Sequence, residues 1–343
     1  MNKFDIKRII NQLIGNLLDR SKDIVLSRFG IGKERYETLD AIGKRYGITR
    51  ERVRQIEADA LKRITVAENE SLYKPVIAAL ADFVKSRGGV VEETALKTDF
   101  AASHFEVKAE PVKKYEGAVI LFLNLKGGFV KAKEDDNFKT RWALDAAAVK
   151  TQEGLVGHLV DALRKEKRPV NFDGLVSWAK SHRADLNADI VRAHLASANA
   201  LGQNNFGEWG LIAWPEITPR GVRDKAFLIM QRVKEPLHFT KVAEEINKAS
   251  FSDRVALPQT VHNELIKDER FVLVGRGTYA LKDWGYQTGT VKDIIKEVLS
   301  ENGPLNREQV VEAVLAKRLV KPGTIVLNLG AFKKRADNRY VAA

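Results

Sequence analysis

The chain has 343 residues, 44% of them hydrophobic, and carries a formal net charge of +12. Cysteine is absent, which excludes disulfides, thiolate metal sites and cysteine nucleophiles, while the basic surplus suits a polyanionic partner. No apolar stretch reaches membrane length and no signal peptide pattern leads the chain, so a cytoplasmic, nucleoid-associated protein of roughly two to five domains is expected.

The basicity is concentrated near the N-terminus. Residues 1–66 hold 15 Lys and Arg against 9 acidic residues, which is half of the net excess. Within them Asp23–Phe29 predicts a short helix with an apolar face of Ile24, Val25, Leu26 and Phe29. The following Gly30-Ile31-Gly32-Lys33 has the flavour of a phosphate loop, but the spacing is incomplete and Glu34 stands where Ser or Thr should follow. Thr38–Ile48 then predicts an amphipathic helix that ends at Gly47, and Thr49–Leu61 a second one. Thr38 and Thr49 suit N-caps, Gly47 suits a left-handed helix end, and Gly43 lets the second helix approach closely. At 100° per residue, Val53, Ile56, Ala60 and Ile64 fall on one side of the second helix, and Arg50, Glu51, Arg54, Gln55 and Ala58 on the other. Two helices joined at a glycine, the second presenting Arg, Glu and Gln, form the pattern of a helix-turn-helix. Those side chains match base edges, Arg to guanine, Gln to adenine and Glu to cytosine. Arg50, Glu51 and Gln55 are the expected base readers, with Arg45, Arg52, Arg54 and Lys62 near phosphates.

Residues 20–30 with 36–64 resemble region 4 of bacterial primary sigma factors, which reads the minus-35 promoter hexamer. The resemblance implies that Arg50, Glu51 and Gln55 contact bases, and that Ile24, Val25 and Phe29 dock on the flap of the RNA polymerase β subunit. The sequence departs from the family at Asp59, where a basic residue is usual, and in placing this module first in the chain. Nothing downstream resembles the aromatic-rich helices with which sigma factors capture melted promoter bases.

The rest of the chain is repetitive. An aromatic followed by small apolar residues recurs at Trp142, Trp209, Tyr279 and Tyr340, at spacings of 67, 70 and 61 residues. Each unit opens with a helical segment, continues with two shorter helical runs, and closes with two short strands around a polar turn, which is the order of a winged helix. Phe271–Val274 and Thr278–Leu281 around Gly275-Arg276-Gly277 give the clearest hairpin. In each copy the aromatic is expected to pack under the wing. The third unit, with Leu237-His238-Phe239, Val242–Ile246, Phe271–Leu281 and Trp284-Gly285, resembles the HARE-type winged helix of the RNA polymerase delta subunit. The last unit is a looser relative. The expected fold is therefore mainly helical with small β-wings: a sigma region 4-like helix-turn-helix over 1–66, then winged-helix units over 72–146, 151–215, 222–286 and 290–343. Linkers are expected at 67–71, 147–150 and 216–221.

Little points to catalysis. Asp99 with Glu106-Val107-Lys108 is too closely spaced for a nuclease carboxylate set, and the six histidines show no metal-ligand spacing. The expectation is a non-enzymatic, sequence-specific transcription factor that needs no cofactor, binds double-stranded DNA and RNA polymerase, and makes no membrane contact. Its alternatives are a stand-alone DNA-binding regulator and an accessory of a nuclease or restriction system.

Overall fold

The computed structural model describes residues 3–108, 110–125, 128–286, 289–318 and 320–342, and the chain divides into two units, 1–202 with 209–212 and 203–208 with 213–343. Met1 and Ala343, the outer bounds of the first and last expected domains, lie outside the described residues. The protein is mainly helical with small sheets, and no helix among the described residues is long and apolar enough to cross a membrane.

In the first unit, β1 (Phe4–Asp5) leads into α1 (Ile6–Ile14), whose start is capped by the Asp5 carboxylate accepting from the Arg8 amide at 3.1 Å. Ile6, Ile10, Leu13 and Ile14 share one face of α1 and are buried. Three helices follow: α2 (Asp19–Phe29), α3 (Leu39–Tyr46) and α4 (Arg50–Ile64). Beyond them come α5 (Glu70–Ser86), β2 (Val90–Glu92), α6 (Glu93–His104), β3 (Phe105–Glu106), α7 (Glu116–Asn124), β4 (Val130–Ala132) and β5 (Arg141–Ala143). β5 lies between β2 and β4, antiparallel to both, while β1 pairs in parallel with β3.

One hydrophobic core runs through all of this. It begins at Ile6 and includes Val25, Ala60 and Ile64 of the N-terminal helices together with Tyr73, Leu80, Phe100, Phe122 and Trp142 from the segments that follow. Residues 67–71, read from sequence as a linker, form a 3₁₀ turn (Ala67–Asn69) that runs directly into α5. Asn69 donates to the Ile64 carbonyl at 3.0 Å and so closes the end of α4. The polar run Glu68-Asn69-Glu70 looks like a spacer, but helices on both sides of it bury side chains in the same core.

The first unit is completed by α8 (Ala146–Glu166), α9 (Phe172–His182), α10 (Ala188–Ala196) and the hairpin of β6 (Leu201–Gln203) and β7 (Trp209–Leu211). The expected linker 147–150 is the first turn of α8, capped by Asp145 accepting from the Ala148 amide at 2.7 Å. In the second unit, α11 (Val222–Val233), β8 (Leu237–His238), α12 (Phe239–Lys248), α13 (Pro258–Lys267), β9 (Phe271–Gly275) and β10 (Thr278–Leu281) enclose a core containing Met230, Val242, Val261 and Tyr279. Then α14 (Val291–Asn302), α15 (Arg307–Lys317), α16 (Pro322–Leu329), β11 (Lys333–Lys334) and β12 (Tyr340–Val341) enclose another around Ile295, Val298, Val314 and Ile325.

The same order recurs four times: a helix, a strand or single bridging residue, two helices and a hairpin whose second arm pairs back to that first strand. The pairings are β2 with β5, Val170 with Trp209, β8 with β10, and Leu305 with Tyr340. Of the recurring aromatics, Trp142 and Tyr279 are buried and Trp209 and Tyr340 half-buried, each in the second arm of its hairpin.

Candidate nucleic-acid interface

Local chemistry sets the turn between α3 and α4. Thr38 accepts from the Ala41 amide at 3.2 Å to start α3, and Thr49 accepts from the Arg52 amide at 3.1 Å to start α4. Between them Gly47 sits at φ 63° and donates to the Gly43 and Lys44 carbonyls, closing α3. A methyl group on Gly43 would lie 2.7 Å from the Ile48 carbonyl oxygen, so the close passage of the two segments depends on glycine. Ile24, Ile42 and Val53, all fully buried, form a small core among α2, α3 and α4, with Leu39, Tyr46, Ile48 and Ile56 around it. That core holds the orientation of α4.

Val53, Ala60 and Ile64 of α4 point inward, whereas Arg50, Glu51, Arg52, Arg54, Gln55 and Lys62 are exposed. The structure therefore places the expected base readers on one open edge of the second helix. Two of them are held by neighbours one turn away. Arg54 grips Glu51 through Nε, at 3.0 and 2.9 Å from the two carboxylate oxygens, and through Nη2 at 2.7 Å, which keeps the Glu51 carboxyl below its ordinary range. Arg52 donates to the Gln55 Oε1 at 3.1 Å. Both pairs are solvent-exposed, so opening them toward another acceptor costs little. Asp59, where the resemblance expected a basic residue, pairs with Arg63 at 3.1 Å.

Two groups of expected site residues have partners within the chain. Arg45, expected near phosphates, is exposed, and its guanidinium pairs with Asp23 at 2.6 Å and with Glu37 at 3.1 Å and lies 4.7 Å from the Tyr46 ring centre. Lys33 Nζ reaches the same Asp23 at 3.0 Å and the Tyr46 hydroxyl donates to it at 2.8 Å. Burial alone would push the Asp23 carboxyl up, but these three hydrogen bonds outweigh it and bring it down to about 2. Arg45 is thus a brace between α2 and α3, and Lys33 serves that brace. The sequence offered no signal for this cluster, because its members lie up to 23 residues apart.

The second group is Ile24, Val25 and Phe29, expected to dock on polymerase. Ile24 and Val25 are both 0% exposed, Ile24 in the small core and Val25 in the large one, and Phe29 packs against the latter. The start of α7 lies so close to the end of α2 that a methyl on Gly117 would meet the Phe29 carbonyl oxygen at 1.8 Å. The apolar surplus on α2 is occupied by the chain's own second half of the core. Beside it, Arg28 meets Glu57 of α4 at 3.6 Å, and burial pushes that carboxyl up.

The histidines also come together differently in space: His158 and His182, 24 positions apart in sequence, stack with ring centres 4.6 Å apart. No group of three or more metal-ligand side chains gathers among the described residues.

Comparison with known proteins matches residues 13–65 to the family model "Sigma-70, region 4". Two curated relatives are the RNA polymerase sigma factors SigA of Lactococcus lactis subsp. cremoris and of L. lactis subsp. lactis (strain IL1403), each 36% identical over 63 residues, or 18% of this chain. The match spans 17% and 16% of the lengths of those relatives. No solved structure matches.

Proposed function

We propose that the protein is a sequence-specific, DNA-binding transcription factor that lays the N-terminal half of α4 in the major groove of promoter-type duplex, with Arg50, Glu51 and Gln55 reading bases. The reading rests on the exposed edge of α4, which falls within the segment similar to sigma-70 region 4 and carries three side chains suited to base edges. Arg52, Arg54 and Lys62, exposed on the same helix, would meet the flanking phosphates. The protein acts by binding and not by catalysis. The four recurring helix–strand–helix–helix–hairpin segments are winged-helix units, the third of the HARE type, a reading supported by their common order and pairing. RNA polymerase is the proposed protein partner, through a surface other than the buried Ile24 and Val25 and the half-buried Phe29.

A stand-alone regulator that never touches polymerase is the second reading, and the full burial of Ile24 and Val25 favours it. Selection from a randomised duplex pool tests the first proposal. A recovered consensus bound by the full chain, and lost with Arg50→Ala, is expected; recovery of no consensus would remove base reading. Capture of core polymerase by the full chain at low salt separates the two readings.

A further inference from the structure

We infer that the last hairpin, β11 and β12, is a second nucleic-acid contact that binds the phosphate backbone without reading sequence. This goes beyond base reading by α4 and does not depend on it.

The four hairpins share one topology but not one charge. The first mixes Lys131, Lys133 and Lys139 with Glu134, Asp135 and Asp136; the turn of the second carries a single charge, Glu208; the turn of the third carries one, Arg276. The last has Lys333, Lys334, Arg335 and Arg339 against Asp337 alone, and all five are exposed. Asp337 does little to cancel this, since it meets Arg339 only at 4.0 Å with both side chains more than half exposed.

The hairpin is also held in place. Arg335 donates its amide to the Arg339 carbonyl at 2.8 Å, and Asn338, at φ 64°, donates to the Arg335 carbonyl at 3.1 Å. Asn accepts that left-handed conformation more readily than most residues. The second arm is tied to the body by paired hydrogen bonds between Tyr340 and Leu305, at 2.7 and 3.2 Å, and both Phe332 and Tyr340 pack on the core beneath. Four cations are thus presented on a pre-ordered loop.

Composition selects the partner. Protein interfaces centre on buried aromatic and apolar side chains, and residues 333–339 contain none larger than Ala336. A phosphodiester backbone needs only positive charge, through release of condensed counterions.

The test is binding of the full chain to random-sequence duplex between about 50 and 200 mM salt, with and without K333A/K334A/R335A/R339A. The quadruple variant should lose about 3.6 from the slope of log affinity against log salt, roughly 0.9 per cation, and bind at least about tenfold more weakly at the lower salt. A slope equal to that of the wild type, or no duplex binding by the wild type at all, would overturn the inference. So would equal loss of binding to poly-glutamate with the DNA slope intact, which would assign the hairpin to an acidic protein surface. The charge-preserving R335K/R339K variant should keep the slope; its loss would trace the effect to hairpin structure and sink the charge argument. Arg50→Ala separates this inference from base reading, because it should reduce sequence preference while leaving the hairpin's share of the slope unchanged.

Discussion

Arg50 and Gln55 differ from the cations around them in what their loss should do. If they read bases as proposed, Arg50→Ala or Gln55→Ala should cost about 1–3 kcal/mol on the preferred site and little on random duplex. Equal losses on both DNAs, measured by titration, would reassign these side chains to phosphates. Asp23 makes the opposite kind of case, a residue whose work is internal. Its folded carboxyl titrates near 2, below the ordinary 3.8, so its contribution to stability is complete above that ordinary value and is lost as pH falls toward 2. Asp23→Asn should remove that acid-side slope and, by freeing Arg45, lower stability by about 1 kcal/mol. Denaturant midpoints of the two proteins across this pH range provide the check. His194 of α10 adds a second slope at higher pH. Desolvation pushes this 1%-exposed imidazole from 6.5 to about 4, so the unfolded chain binds the extra proton between those values. Stability is therefore full above pH 6.5 and falls as pH drops toward 4, and His194→Gln should flatten the thermal-melting profile in that window.

Among the elements, α2 is the one whose role differs most from what its sequence suggests. An apolar face wider than a three-helix bundle needs reads as a docking surface, and it is one, but for α7 of the same chain. Gly117 lets the two backbones meet. Helix propensity alone predicts that Gly117→Ala would gain about 1 kcal/mol. A methyl 1.8 Å from the Phe29 carbonyl oxygen cannot be accommodated without separating α7 from α2, so a net loss of about 1–3 kcal/mol is expected instead. A stabilised variant in urea unfolding would show that α2 and α7 are not packed as described.

Taken as a whole, the N-terminal helices are not a detachable reading head. Val25, Ala60 and Ile64 share one core both with α1 and with side chains between Tyr73 and Trp142, and β1 pairs with β3 some hundred residues later. A fragment ending at residue 66 would expose that face, so it should show weak near-ultraviolet signal and broad unfolding, whereas residues 1–212 should unfold cooperatively. For the same reason proteolysis should spare residues 67–71, which are helical, in favour of less regular stretches such as 216–221. A sharp, cooperative transition for the 1–66 fragment would refute the shared core.

Local signals were legible from the sequence. Thr38 and Thr49 as caps, Gly47 as the helix end, Gly43 at the close approach and the exposed edge of α4 all depend on residues within a turn or two of one another, where backbone sterics and helical period dominate. The fourfold recurrence around Trp142, Trp209, Tyr279 and Tyr340 was legible too, because each unit repeats a local pattern. Burial partners were not. Whether Val25 and Phe29 face a partner protein or the core that the chain's own α7 joins, whether Arg45 stands free or pairs with Asp23, and whether residues 67–71 separate domains or join helices are set by contacts between positions far apart along the chain. Periodicity marks a face as apolar or charged, but only the packed structure supplies the neighbour that covers it.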